Sequence, residues 1–245
     1  MRSSVREKTM STGKMATRPI FLANQKDIPG ANQKNIDFKW HPGMSKSQKQ
    51  KSIAELHLSA KQLGYDHLLE ISSKSENKLG VELSAFNLLI TTKKNNAVFT
   101  VETAFQGSKV FTRGGPYKDL FGIDSLAAKR DIRLKDSGSL KFFDFFGVTF
   151  PLEPRTFFYD WVYINALAQN KCFADEITAF NGFTDIEFNP NKSINCQAHS
   201  AALFVSLVKS NLLNEALMSP ENFLAILANH YGNKSEGTGA QERLI

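Results

Sequence analysis

Apolar and polar positions alternate with different periods along the chain, and those periods set the expected elements. Between Arg18 and Gly43 the short apolar patches Ile20-Phe21-Leu22 and Ile36-Asp37-Phe38 stand among Asn, Gln, Pro and Gly. This predicts two short strands joined by a turn at Pro29-Gly30. From Ser45 to Leu63, residues Ile53, Leu56, Ala60 and Leu63 recur at helical spacing, with Ser45 able to cap the start and Gly64 to stop the end. That helix carries Lys46, Lys49 and Lys51 on its polar face, either as a solvated surface or as a stripe turned to phosphates. His67–Ile71 reads as a strand, followed by the polar loop Ser72-Ser73-Lys74-Ser75-Glu76-Asn77. Val81–Ile90 is a short, loop-rich apolar segment. After a turn at Asn95-Asn96, the strand Ala97–Val101 runs straight into a helix, Glu102–Phe111, which Gly114-Gly115-Pro116 breaks.

The second half is more helical. Ser125–Arg133 and Pro154–Asn170 read as helices, the latter with Phe158, Trp161, Ile164, Asn165 and Ala168 on one side. Between them Leu140–Phe150 is an aromatic strand or hairpin with a corner at Gly147. Asp175–Phe180 is a further helix, leading to Asp185-Ile186-Glu187-Phe188. Gln197–Lys209 is apolar nearly all round, which predicts the most buried helix, and Pro220–His230 closes the fold. Strands and helices mix without regular alternation or internal repeat, so the expected class is α+β, mostly helical around a small sheet. One domain spans 18–232, of which 18–66 is an N-terminal extension packed on the rest. Residues 1–17 are expected to be a disordered leader and 233–245 a flexible tail.

Composition narrows the function classes. A chain of 245 residues, 42% hydrophobic and 22% charged, can bury a core without staples and is neither collagen-like nor disordered. Apolar runs such as Ala201–Val205 fall far short of the roughly 20 residues that span a bilayer. The start, Met-Arg-Ser-Ser-Val-Arg-Glu-Lys, lacks the apolar stretch of a secretory signal, so a cytoplasmic location without membrane contact is expected. Cys172 and Cys196 are too few and too far apart for a disulfide framework, and the five histidines never fall at ligand spacing. No metal and no cofactor are expected. Of the net charge of +6, four units come from the first 18 residues, leaving the remainder near +2. That balance is compatible with a nucleic-acid or phosphate-bearing partner without requiring one.

No dinucleotide fingerprint, phosphate-binding Gly-rich loop, zinc-protease helix or serine-hydrolase elbow occurs. Three other segments stand out. Leu83-Ser84-Ala85-Phe86-Asn87-Leu88 places Ser and Asn in an apolar stretch. In Thr100–Lys109, Glu102 opens the expected helix, and Gln106 and Lys109 follow at i+4 and i+7 on the same face. Glu102 there is either a first-turn acid favoured by the helix dipole or, beside Val101, Ala104 and Phe105, a partly desolvated acid suited to proton transfer. The third is Asp185–Pro190 followed by Ile194-Asn195-Cys196-Gln197, where polar groups flank the start of the most buried helix and its free N–H groups could receive an anion.

Taken in this order, the segments resemble the NADAR family of N-glycosidases. Ile71-Ser-Ser-Lys-Ser-Glu, Ala104-Phe-Gln-Gly-Ser-Lys-Val-Phe, Gly115-Pro-Tyr and Ser193-Ile-Asn-Cys-Gln-Ala are closest to the branch associated with DarT-type toxins. The resemblance covers about residues 18–230. It implies an antitoxin that removes ADP-ribose from guanine bases of DNA, expected to be single-stranded, paired with a DarT-type ADP-ribosyltransferase. The alternatives are glycosidase action on a phosphoribosyl-amino intermediate of riboflavin synthesis and non-catalytic ADP-ribose binding. Carried onto this sequence, the resemblance gives the main proton transfer to Glu102, with Glu187 or Asp185 as its partner. Gln106 and Asn195 would hold ribose or base edges, and Ser73, Lys74 and Lys109 would meet the pyrophosphate. Ser84 and Asn87 belong to the same substrate surface, and Phe86, Phe150 and Trp161 are the candidates for stacking on a base. The chain departs from the family pattern in the order Ala85-Phe86-Asn87 and in Asn189-Pro-Asn-Lys-Ser193, where many members carry Asp-x-x-Trp-Gly.

Overall fold

The computed structural model describes residues 14–25, 28–92 and 96–235. Residues 1–13 of the expected leader, Asn95 of the expected turn and residues 236–245 of the expected tail lie outside that set.

Strands β1 (Met15–Ala23) and β2 (Ala31–Lys39) form a nine-pair antiparallel hairpin running from Met15↔Lys39 to Ala23↔Ala31. The strand takes in residues 15–17, which the sequence reading had assigned to the leader, because they pair with Asp37, Phe38 and Lys39. Ser45 caps α1 (Lys46–Gln62) by accepting from Gln48 N, and Gly64 beyond its end has φ +88°, a left-handed conformation open to glycine. Ile53, Leu56 and Ala60 of α1 pack on Ile20, Ile36 and Phe38 of the hairpin, and Ile186 completes this small core.

The chain continues through β3 (Leu68–Glu70), α2 (Lys78–Glu82), β4 (Leu89–Thr91) and β5 (Val98–Thr100). Thr100 then caps α3 (Val101–Gly107), exchanging hydrogen bonds with Thr103. This helix is shorter than its sequence pattern suggested. Lys109–Phe111 is extended as β6, which pairs with β7 (Leu140–Phe145), itself paired with β8 (Val148–Phe150). The expected helix Ser125–Arg133 is split into α4 (Ser125–Lys129) and α5 (Arg133–Asp136). Asp131 receives the Arg133 backbone N–H and guanidinium at the break. There follow α6 (Phe157–Gln169), α7 (Lys171–Glu176), β9 (Gly182–Thr184), α8 (Gln197–Lys209), α9 (Leu213–Ala216), α10 (Pro220–Ile226) and α11 (Ala228–Ser235). Helix α11 carries ordered backbone to Ser235, into the stretch expected to fray.

The architecture is α+β. Its largest sheet has the order β2-β1-β9-β3, with β9 antiparallel to β1 and parallel to β3. The first hairpin therefore shares the central sheet rather than resting on it. Gly182 makes this possible, since a Cβ there would come within 2.8 Å of side chains from both neighbouring strands. Helices α6 and α8 fill the middle of the molecule. Eleven consecutive residues of α8, Gln197–Leu207, are buried, in line with its apolar sequence.

One polar chain crosses this core. The Ala31 N–H donates to His230 Nδ1 (3.4 Å), which places the His230 proton on Nε2. That nitrogen meets His199 Nε2 (3.1 Å), so His199 in turn offers Nδ1–H to Asp160 Oδ1 (3.2 Å). Ser200 Oγ and Tyr231 OH also donate to the buried Asp160 carboxylate. The chain joins the first hairpin to α6, α8 and α11.

Candidate active site

A cleft of about 920 Å³ opens between α3, the α4–α5 segment, β6, the loop after β9 and the approach to α8. Eleven of the thirteen residues singled out from the sequence line it: Ser73, Lys74, Ser84, Phe86, Asn87, Glu102, Gln106, Lys109, Asp185, Glu187 and Asn195. They come from six separate parts of the chain, which the sheet and α8 bring together. Gln197 is the tie among them: its Oε1 accepts from Ala85 N (2.8 Å) while its Nε2 donates to Ile71 O (2.6 Å).

Two candidates lie elsewhere. Phe150 is 1% exposed and packs against Phe157 and Phe158, while Trp161 meets Phe150 and Phe223 in the core. Both are packing residues, because the last strand of the β6-β7-β8 sheet and α6 turn these rings toward each other and away from the cleft. Phe86 does line the cleft, but its ring carries the Lys129 ammonium 5.1 Å from its centre. The Phe105 ring is similarly covered by Lys109 at 4.7 Å. Of the aromatic side chains in the cleft wall, Phe111 is half-buried and was not foreseen from the sequence.

Glu102 is 5% exposed at the first turn of α3. Its Oε1 accepts from Gln106 Nε2 (2.9 Å) and lies 3.8 Å from Lys129 Nζ. The bond turns the Gln106 carboxamide nitrogen toward Glu102, and the buried Gln106 Oε1 is left without a partner. Asn195 Oδ1 is a second buried acceptor without a partner. Lys109 leaves the shared helix face expected of it, since α3 ends at Gly107. It still reaches the cleft from β6. Burial brings its ammonium pKa down to about 8, with Lys129 acting in the same direction and Glu102 opposing.

Seven basic residues face five acidic ones in the lining. Two of those acids are committed elsewhere: Asp124 caps α4 by accepting from Leu126 N and Ala127 N, and Asp131 is bound by Arg133. Asp185–Phe188 is a turn following β9. Within it Asp185 is buried and Glu187 is exposed at the rim. Burial, with Glu70 nearby, raises the Asp185 pKa to about 8. Among the described residues, no group of three or more His, Cys, Asp or Glu side chains is placed to hold a metal ion, and no helix is long and apolar enough to cross a membrane.

Fold and site together define an α+β domain with a cation-lined cleft beside a buried acid. The chain belongs to the NADAR family, in the branch of DarT1-associated NADAR antitoxins, whose model matches residues 16–237. The match takes in the first hairpin as well as the cleft, and membership gives the chain an antitoxin role alongside a toxin of the DarT type. No curated protein matches the sequence.

Proposed function

We propose that this antitoxin is an N-glycosidase that removes ADP-ribose from guanine bases of DNA and so reverses the mark left by its toxin. The observation that carries the reading is the placement of Glu102, buried in a cleft with Lys109 and Lys129 beside it. Cleaving a bond between ribose C1 and a base nitrogen builds positive charge on the sugar. It needs a proton on the departing nitrogen and a water aimed at C1. Glu102 takes the main proton-transfer role, and its negative charge stabilises the sugar cation as it forms. Asp185 or Glu187 supplies the second carboxyl group. Ser73, Lys74 and Lys109 meet the pyrophosphate, Gln106 and Asn195 hold ribose or base edges, and Phe111 offers a ring to the base.

Cleft size favours a large ligand. Pockets of about 300–1,000 Å³ enclose drug-sized molecules, and this cleft of about 920 Å³ stands near the upper end, suited to ADP-ribose with its attached base. The experiment is incubation with a single-stranded oligonucleotide carrying guanine-linked ADP-ribose, followed by mass measurement. Release of free ADP-ribose and unmodified strand supports the proposal. An intact adduct, with the protein thermally stabilised by ADP-ribose, would make it a binding module. Turnover confined to a phosphoribosyl-amino riboflavin intermediate would move the activity to small metabolites.

A further inference from the structure

Near the open end of the first hairpin stands a cluster that the reaction above leaves unused. Strand alternation puts Arg18 on the same face as Ile20, and Trp40 on the same face as Ile36 and Phe38, the face that α1 covers. The Trp40 N–H donates to Lys14 O (2.7 Å), so the hairpin pairing extends one residue past β2 and holds the indole in line. Two cations lie over that ring: the Arg18 guanidinium carbon is 5.4 Å and Lys49 Nζ of α1 is 4.9 Å from its centre. The indole attracts each of them, yet it leaves two positive charges gathered at one place. Among the described residues neither makes an ion pair with a carboxylate.

Arg18 also has a donor to spare. Its Nη1 donates to Thr17 O (2.9 Å), while its buried Nε has no hydrogen-bond partner. A buried N–H left unanswered costs stability, and an anion bound beside it recovers that cost. Helix α1 adds charge of the same sign, for its first turn holds no acidic residue and Lys46 stands one turn before Lys49. Lys51, two residues further on, points to another side of the helix.

Short bonds join this cluster to the cleft wall. Trp40 packs on the small core that contains Ile186, and Ile186 stands between Asp185 and Glu187, which line the cleft. Ile186 N donates to the buried Glu70 Oε1 (2.8 Å), and Asp185 Oδ1 accepts from Glu187 N (3.0 Å) and Phe188 N (3.1 Å), so the turn is held from two sides. From α1, His57 Nε2 donates to Thr184 Oγ1 (2.8 Å), one residue before Asp185, and Thr184 Oγ1 donates to Glu70 Oε2 (2.6 Å). Hairpin, α1 and cleft wall are thereby fixed to one another.

We propose that Arg18, Trp40 and Lys49 form a second subsite, outside the cleft, that holds a phosphodiester of the single strand flanking the modified guanine. This rests on the N-glycosidase reading and sets the size of its substrate, a polynucleotide rather than a free nucleotide. Glu102 is 5% exposed within the cleft, so a base that reaches it has left any stack, and the strand it belongs to is unpaired there. The two cations meet non-bridging phosphate oxygens in charge-assisted bonds, and Trp40 sets their spacing. Phosphate contacts carry no sequence information, so the patch grips any strand and leaves the choice of base to the cleft.

The test is binding of an unmodified, labelled single-stranded oligodeoxynucleotide to the full chain, read by fluorescence anisotropy at several salt concentrations. Lys49→Glu should weaken binding by roughly tenfold and flatten the slope of log affinity against log salt by about 0.7 per lost contact. Arg18→Gln should act in the same direction, and Lys51→Glu should leave both quantities near wild type. ADP-ribose affinity, measured by isothermal titration, should hold in all three. In Trp161→Phe, which leaves Trp40 as the one tryptophan, the strand should quench the emission and ADP-ribose should not. No strand binding by wild type at low salt, an affinity unchanged in Lys49→Glu, or equal losses in Lys49→Glu and Lys51→Glu overturn the proposal. So does a parallel loss of ADP-ribose affinity, which would merge these residues into the cleft. Quenching by the toxin protein but not by the strand would make the patch a protein interface and overturns it too. If Arg18→Gln or Trp161→Phe does not fold, the Lys49→Glu and Lys51→Glu pair decides. The strand is unmodified, so absence of ADP-ribose release would sink the glycosidase reading while strand binding at Trp40 is still decided.

Discussion

Lys129 Nζ stands 3.8 Å from Glu102 Oε1, an ion pair between an exposed cation and a buried acid. The two residues are brought together by the packing of α4 against α3. The same ammonium lies over the Phe86 ring, so one cation meets both the acid and the cleft wall. Phosphate oxygens of a bound ligand offer that cation a stronger, charge-assisted partner. Lys129→Met should therefore raise KM for an ADP-ribosylated strand by roughly tenfold, about 1.4 kcal/mol, in steady-state assays of ADP-ribose release. An unchanged KM would mean the cation does not meet the ligand.

Glu102→Gln keeps the shape of the side chain and its neighbour Gln106 but removes the proton carrier. The rate of ADP-ribose release should drop by about 10² to 10⁴ with thermal stability close to wild type. Single-turnover release at a comparable rate would remove Glu102 from the chemistry.

Asp185 gives the protein a distinct pH dependence of stability. Its pKa in the fold is about 8 against an ordinary 3.8. The stability it contributes is full below the ordinary value and is lost as pH rises through 8. Asp185→Asn keeps a turn-capping oxygen and cannot ionise. Its Tm should match wild type near pH 4, exceed it by several degrees at pH 9, and cross-check against urea unfolding at both pH values.

His57 works at the other end of the scale. Burial lowers its pKa to about 4 from an ordinary 6.5, so its contribution is full above 6.5 and disappears as pH falls toward 4. Gln in its place can still donate to Thr184 without charging. His57→Gln should flatten the acid side of the Tm–pH curve between those values; a slope equal to wild type would show that other groups dominate acid unfolding.

Phe150→Ala separates core from cleft. Truncating a buried phenylalanine costs about 3–5 kcal/mol, and denaturant unfolding should register a loss of that order. Isothermal titration with ADP-ribose, at a temperature where the variant stays folded, should find affinity unchanged. A selective loss of affinity would return Phe150 to the ligand surface.

How far these features could be read from residue order depends on the range of the interactions behind them. The α1 and α8 boundaries were legible because Ser45, Gly64 and the largely apolar composition of Gln197–Lys209 act locally. Eleven of the residues singled out line one cleft, and most of them lie in or beside the motifs that carry the family resemblance. Lys109 was placed on the wrong element, since what ends α3 at Gly107 is the pairing of Lys109–Phe111 with β7, whose register partners Phe143, Phe142 and Leu140 are distant in the chain. Phe150 and Trp161 were misplaced for a related reason. An aromatic side chain carries the same signal whether its ring meets a ligand or another ring, and only the meeting of β8, α6 and α10 decides between them. Glu70 and Lys129 drew no attention because each stands in an unremarkable local sequence, while Phe111 and Gln197 lie in motifs that stood out without being given a role. Their significance comes from partners such as Ile186, Glu102 and Ile71, which the fold supplies.

The proton-ordered chain from Ala31 through His230 and His199 to Asp160 makes the two ends of the described chain depend on each other. Cutting the protein before α11 would leave the hairpin turn with an unanswered N–H and would strip a partner from a buried imidazole. Because β1 is hydrogen-bonded to β9, and β9 leads directly into Asp185, slack introduced at that distant end would travel across the sheet to the cleft wall. A shortened version should therefore lose its alignment for chemistry before it loses its secondary structure.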